Sequence, residues 1–150
     1  MLEHLGDPAP QLSASALHPW VWDSARSLWN SGHLSEAVEA SAKGVNNFTQ
    51  QKIDRRDVSE GNLFVQAFSD DAPAAGASRL RPVGGKDNSR TARSVRRGLR
   101  DYAAGLYALL RNPLAHGDPT DDIPQHEALE QLAAFSVLAR AVDDALLDRL

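Results

Sequence analysis

Residues 89–116 read SRTARSVRRGLRDYAAGLYALLRNPLAH, and the spacing of their apolar and basic side chains sets the fold class. Laid out at about 100° per residue, Val95, Leu99, Tyr102 and Leu106 fall on one side of a helix spanning 89–110. Arg90, Arg93, Arg97 and Arg100 fall on the other. Such a helix buries one stripe and aims a ladder of guanidinium groups outward. Extended in the same phase, Arg111 lies with the arginines rather than with the core. Asn112-Pro113 then breaks the helix, because the residue before proline avoids the α region. Asparagine and proline also suit the cap and first position of a new turn. In an unbroken helix Arg111 and His116 would stand about 140° apart; the break is what lets the two side chains converge.

The same periodicity organises the chain on either side. Leu17-His18-Pro19-Trp20 opens a helix that runs to about Asn30, with Trp22, Ala25, Leu28 and Trp29 on one face and Gly32 ending it. A second helix spans about Ser35 to Thr49 on a stripe of Ala37, Val38, Ser41, Val45 and Phe48. Ser35 is its candidate N-cap; the residue three places on is Val38, so there is no capping box. Residues 50–59 are polar and read as a helix tail and loop. Ser59 then caps a short helix, about Glu60 to Phe68, that buries Leu63, Phe64, Ala67 and Phe68. Residues 69–88, rich in Asp, Ala, Pro and Gly, read as a long mobile loop. A final helix is expected from about Pro124 to Leu150. With no strand alternation, internal repeat or heptad run, the expected fold is all-α: a bundle of four to five helices over residues 17–150, behind a flexible lead-in at 1–16.

Composition narrows the chemistry. The chain has 150 residues, 42% of them apolar, enough for one domain with its own core. It has no cysteine, which removes disulfides, thiol catalysis and cysteine-based zinc sites and suits a reducing cytoplasm. No window approaches the roughly 20 apolar residues of a membrane span, and the first residues lack the basic start and apolar run of a secretory signal. The net charge of −4 conceals a split. Residues 79–100 carry eight of the sixteen Lys and Arg residues against Asp87 alone, and residues 118–150 carry eight acids against Arg140 and Arg149. A local basic surface attracts a polyanion whatever the total charge. The competing reading is that the two segments neutralise each other within the fold or across a dimer interface.

Arg111 and His116 are the candidate reactive pair. Arginine clamps phosphate through a planar fork of donors, and the unperturbed pKa of histidine lies near neutrality. Together they suffice for phosphodiester cleavage without a metal. Arg90, Arg93, Arg97 and Arg100, read as lacking acidic partners at i,i+4, form a candidate nucleic-acid surface leading toward them. Opposed to this is a solvated helix face, with His116 on the surface or capping a helix and Arg111 paired to an acid of the C-terminal helix. Other signals are weaker. His4, His18, His33 and His126 share no metal-ligand spacing, so no metal or other cofactor is expected. Asp121-Asp122 and Asp143-Asp144 read as solvated pairs, with Asp122 serving the dipole of the last helix. Trp20, Trp22 and Trp29 read as core or dimer interface rather than base-stacking platforms. Gly84-Gly85-Lys86 lacks the rest of a phosphate-loop pattern.

Arg111-Asn112 followed by His116, after one long helix and before another, resembles the signature of HEPN domains. A wider ordered set resembles an uncharacterised bacterial branch, the Ymh-type family. It comprises Leu17-His18-Pro19, Gly32-His33 with Glu36-Ala37-Val38, Asp57 with Gly61-Asn62-Leu63, Phe68, Arg111-Asn112-Pro113 with His116, and Ser136-Val137-Leu138-Ala139-Arg140. The resemblance implies a HEPN-like helical bundle that homodimerises, with two motifs forming one composite site. It further implies a metal-independent endoribonuclease of a toxin–antitoxin or phage-defence system, accompanied by an antitoxin or sensor. Carried over, His116 is general base or acid, Arg111 holds the scissile phosphate, and Asn112 orients the pair. The alternative is a non-catalytic helical module that binds RNA or a partner protein, or that only dimerises.

Overall fold

The computed structural model describes residues 9–83, 87–111 and 122–150. Asn112, His116 and Gly84-Gly85-Lys86 lie outside the described residues. The chain is an all-α bundle, as its periodicity predicts. After a 3₁₀ turn at Ala14–Ala16 come α1 (Pro19–Asn30), α2 (Leu34–Ile53), α3 (Glu60–Ala67), β1 (Arg79–Arg81), α4 (Arg90–Leu106), a π-helical turn (Tyr107–Arg111), α5 (Gln125–Asp144) and β2 (Leu146–Asp148).

Helix α1 starts where Pro19 predicts, but its cap is an imidazole. His18 Nδ1 accepts from the Trp20 N–H at 3.1 Å, so Nε2 carries the ring proton and donates to Asp143 Oδ2 at 2.8 Å. The His18 N–H donates to Ser136 Oγ at 2.9 Å. One residue thus caps α1 and ties it to α5. Gly32, at φ +85°, makes the left-handed turn into α2. The two helices cross closely at Gly44, where a Cβ atom would meet Ser24 Oγ at 2.2 Å and the Trp20 carbonyl at 2.8 Å.

The core is the shared apolar face of all five helices, with Val21 and Ala25 contributed by α1. Val38, Val45, Leu63, Phe64, Phe68, Leu132, Phe135 and Leu138 are fully buried, each contributing about 1.5–3 kcal/mol relative to exposure. The Tyr107 ring sits between Phe64 and Phe135, with centroids at 5.5 and 5.4 Å. Phe48, expected on the buried stripe, is 40% exposed and stacks on the half-buried Trp20 at 5.1 Å. Trp22 and Trp29 pack edge to face, also half-buried.

Several boundaries differ from the sequence expectation. Helix α2 runs on to Ile53, which is buried, and ends on Asp54 in the left-handed region at φ 56°. Lys52 in that added turn donates to the carbonyls of Val142, Asp143 and Ala145 at 2.8, 2.9 and 2.6 Å. The ammonium thus gathers carbonyls at the C-terminal end of α5, which stops at Asp144 instead of running to Leu150. Burial lowers the pKa of the Lys52 ammonium. Beyond the stop the chain enters β2, which pairs antiparallel with β1 in the register Arg79↔Asp148, Leu80↔Leu147, Arg81↔Leu146. Strand β1 lies within the 69–88 stretch read as loop; three residues are too short to display a strand period.

Candidate functional site

Helix α4 is capped by Ser89, the residue at which the sequence starts the helix, whose Oγ accepts from the Ala92 N–H at 3.1 Å. Its buried residues are Ala92, Arg96, Ala103 and Leu106, so the inner face is rotated from the expected stripe and Val95, Leu99 and Tyr102 are only half-buried. Arg96 is 1% exposed. Its Nε donates to Asp70 Oδ1 at 2.7 Å, Nη1 to the Asp87 carbonyl at 2.7 Å and Nη2 to Asn88 Oδ1 at 3.3 Å. The Arg96 hydrogen bond holds the Asp70 carboxyl below the usual carboxylate range.

The arginine ladder divides. Arg90, Arg93 and Arg97 are exposed, and Arg90 lines a surface pocket of about 370 Å³ with Thr91, Ser94 and Val95. Arg100 turns inward: it donates to the Phe68 carbonyl at 2.8 Å and lies 3.6 Å from Asp70. The reason is phase, since Arg100 stands only about 40° round the helix from Arg96. The expected lack of i,i+4 acids also fails at one position, where Asp101 lies 3.7 Å from Arg97.

Arg111 departs from its expected phase as well. The π turn from Tyr107 to Arg111 holds more residues than the 3.6 of an α turn, so each residue advances through a smaller angle. Arg111 therefore swings off the basic face and packs against α2 and α3, with its side chain 15% exposed. Its partners are not acids of the C-terminal helix. Nη1 lies 3.8 Å from Glu39 Oε1 on α2, and Nε lies 3.4 Å from Glu60 Oε1 at the start of α3. Glu39 also meets Lys43 at 3.2 Å. Arg111 Nε is buried with no hydrogen-bond partner among the described residues, so Glu60 holds it by charge rather than by an aligned donor and acceptor.

The entry to α3 is held by side chains of α2. Asn46 Oδ1 accepts from the Glu60 N–H at 2.6 Å, and Gln50 Nε2 donates to the Val58 carbonyl and Ser59 Oγ at 2.8 and 3.2 Å. Ser59 occupies the N-cap position, yet its hydroxyl makes no capping hydrogen bond. Glu60 itself adopts φ +55°, a left-handed conformation rare for a bulky residue. Beneath it the Tyr107 hydroxyl donates to the Ala42 carbonyl at 2.7 Å. Burial, and then the charge of Glu60, push the Tyr107 pKa well above its ordinary value.

Asp122 serves α2, not the last helix. Its carboxylate accepts from the N–H groups of Leu34 and Ser35 at 3.1 and 2.8 Å and from Ser35 Oγ at 2.7 Å. Ser35 thus lies inside α2 as a partner of Asp122 and is not the N-cap. These bonds, the Ser35 hydroxyl first, hold the Asp122 pKa at about 2. The described residues on either side of 112–121, Arg111 and Asp122, are therefore both fastened to the first half of α2. Among the described residues no cluster of His and carboxylates could hold a metal, and no helix is long and apolar enough to cross a membrane.

One protein family matches the chain, over residues 15–142, and is described as a protein of unknown function, Hypoth_ymh. The chain belongs to the Hypoth_ymh family. The family match takes in Glu39, Asn46, Glu60, Arg111 and all of α4, and stops before β2. No curated protein and no solved structure matches the chain.

Proposed function

We propose that this Hypoth_ymh chain is a HEPN-type, metal-independent endoribonuclease of a bacterial toxin–antitoxin or phage-defence system, acting in the cytoplasm as a homodimer. The observation that carries the reading is Arg111. It is withdrawn from solvent and fixed by two carboxylates at 3.4 and 3.8 Å, yet its buried Nε has no hydrogen-bond partner among the described residues. A guanidinium held by charge along its Nε edge keeps donor capacity on its Nη groups for an incoming acceptor such as a phosphodiester oxygen. It also immediately precedes Asn112-Pro113 and His116 in the chain.

In this mechanism His116 takes the proton of a ribose 2′-OH as that oxygen attacks the adjacent phosphorus, or returns a proton to the departing 5′-oxygen. Arg111 stabilises the charge growing on the non-bridging oxygens, and Asn112 orients the pair. Two copies of the motif share one cleft across the dimer axis. The exposed Arg90, Arg93 and Arg97 track the phosphates of the bound strand. The products are a 2′,3′-cyclic phosphate and a 5′-OH, and DNA, lacking the 2′-OH, survives.

Incubation with tRNA, mRNA and single-stranded DNA in the presence of EDTA tests the proposal. RNA fragments with cyclic-phosphate ends, intact DNA and loss of cleavage in His116→Ala are expected. Salt-sensitive RNA binding without any cleavage would instead establish the non-catalytic module.

A further inference from the structure

Two departures from regular backbone meet at one contact. The π turn carries Arg111 off the basic face of α4, and the left-handed conformation of Glu60 sets the first residue of α3 beside it. A left-handed non-glycine residue is less stable by about 1–3 kcal/mol and persists where its surroundings over-determine it. Here the surroundings are explicit: Asn46 Oδ1 takes the Glu60 N–H at 2.6 Å, and Gln50, one turn further along α2, holds Val58 and Ser59. Gly61 follows, and a Cβ there would already touch Ala104 at 3.6 Å, so the start of α3 lies close on α4. The outcome is a carboxylate 3.4 Å from Arg111 Nε without a hydrogen bond between them.

We infer that Glu60, seated by Asn46, is a positioning residue for Arg111, fixing the Nε edge of the guanidinium so that its remaining donors face a phosphodiester. The inference rests on the ribonuclease reading and assigns it a residue distant in sequence from the Arg111–His116 motif. The geometry calls for a negative charge rather than mere bulk, because the contact is electrostatic. Glu60→Gln keeps the shape and removes the charge; Glu60→Asp keeps the charge on a shorter stem.

The test is steady-state cleavage of a single-stranded RNA oligonucleotide by wild type, Glu60→Gln, Glu60→Asp and Asn46→Ala, with RNA affinity by fluorescence anisotropy and Tm for each. Glu60→Gln is expected to lower kcat at least tenfold with KM and affinity within twofold, Glu60→Asp to recover part of the loss, and Asn46→Ala to lower kcat in the same sense. On an Arg111→Lys background, Glu60→Gln should add no further loss of kcat, since the two act through one contact. A wild type that cleaves while Glu60→Gln keeps its kcat overturns the role of Glu60 alone. A kcat that falls only in step with Tm, or a full additive loss on the Arg111→Lys background, also overturns it. A wild type that cleaves no RNA overturns the ribonuclease reading and the positioning role together.

Discussion

Arg96 and Arg111 leave the same helical run, and both are withdrawn from solvent, yet their donors are used in opposite ways. Arg96 commits Nε, Nη1 and Nη2 to Asp70, Asp87 and Asn88 at 2.7, 2.7 and 3.3 Å. Arg111 faces Glu39 and Glu60 at 3.8 and 3.4 Å, and among the described residues its buried Nε has no hydrogen-bond partner. The first pattern is a lock: every short bond staples the segments around 70 and 87 to α4. The second holds a charge in place while leaving donors to give. The difference teaches that burial of an arginine says little about its role; what matters is how many of its N–H groups already have aligned acceptors.

Paired substitutions can break that comparison. Arg111→Ala is expected to reduce RNA cleavage by a factor of about 100 or more while lowering stability by only about 1 kcal/mol, because its ion pairs are loose and partly solvated. Arg96→Ala is expected to behave inversely, lowering stability by about 3 kcal/mol in urea unfolding because Asp70 and a backbone carbonyl lose their donors, with cleavage per folded molecule within about threefold of wild type. A catalytic loss in Arg96→Ala as large as in Arg111→Ala would erase the distinction.

A smaller effect sharpens it through pH. The carboxyls of Asp70 and Asp122 are both held below the ordinary value of 3.8, Asp122 at about 2. A depressed folded-state pKa contributes stability that is fully present above the ordinary carboxylate range and is lost as pH falls through the folded value. Stability should therefore fall between about pH 4 and pH 2. Asp122→Asn should flatten that fall and cost about 1 kcal/mol at neutral pH, as for a lost helix cap. Acid titrations of the two proteins that superimpose would show that Asp122 contributes nothing.

The helices were legible because apolar spacing records which face is buried. What the sequence left illegible is long-range. Asp122 looks like a residue of the last helix because that helix is its neighbour in the chain; its actual partners, Leu34 and Ser35, are brought to it by folding. Glu39, Asn46 and Glu60 have no local link to Arg111 that a spacing could reveal. Nothing in Tyr107-Ala108-Leu109-Leu110 announces a π turn, so a uniform α phase overshoots the position of Arg111. Arg96 did leave a trace, since on a helical wheel it falls about 40° from Ala92 and 20° from Ala103, at the edge of the apolar stripe.

The two-stranded sheet has a consequence for the order of assembly. It joins Leu80 to Leu147 by three residue pairs across almost half the chain. Closing so long a loop is entropically unfavourable, and three pairs are too few to offset it alone. The strands can meet only after α2 and α5 have docked, when the Lys52 ammonium stops α5 and turns the chain at Ala145. The last residues of the chain are thus the last to join and the first to leave, and amide exchange at Leu80 and Leu147 should run ahead of exchange at Leu132 and Leu138.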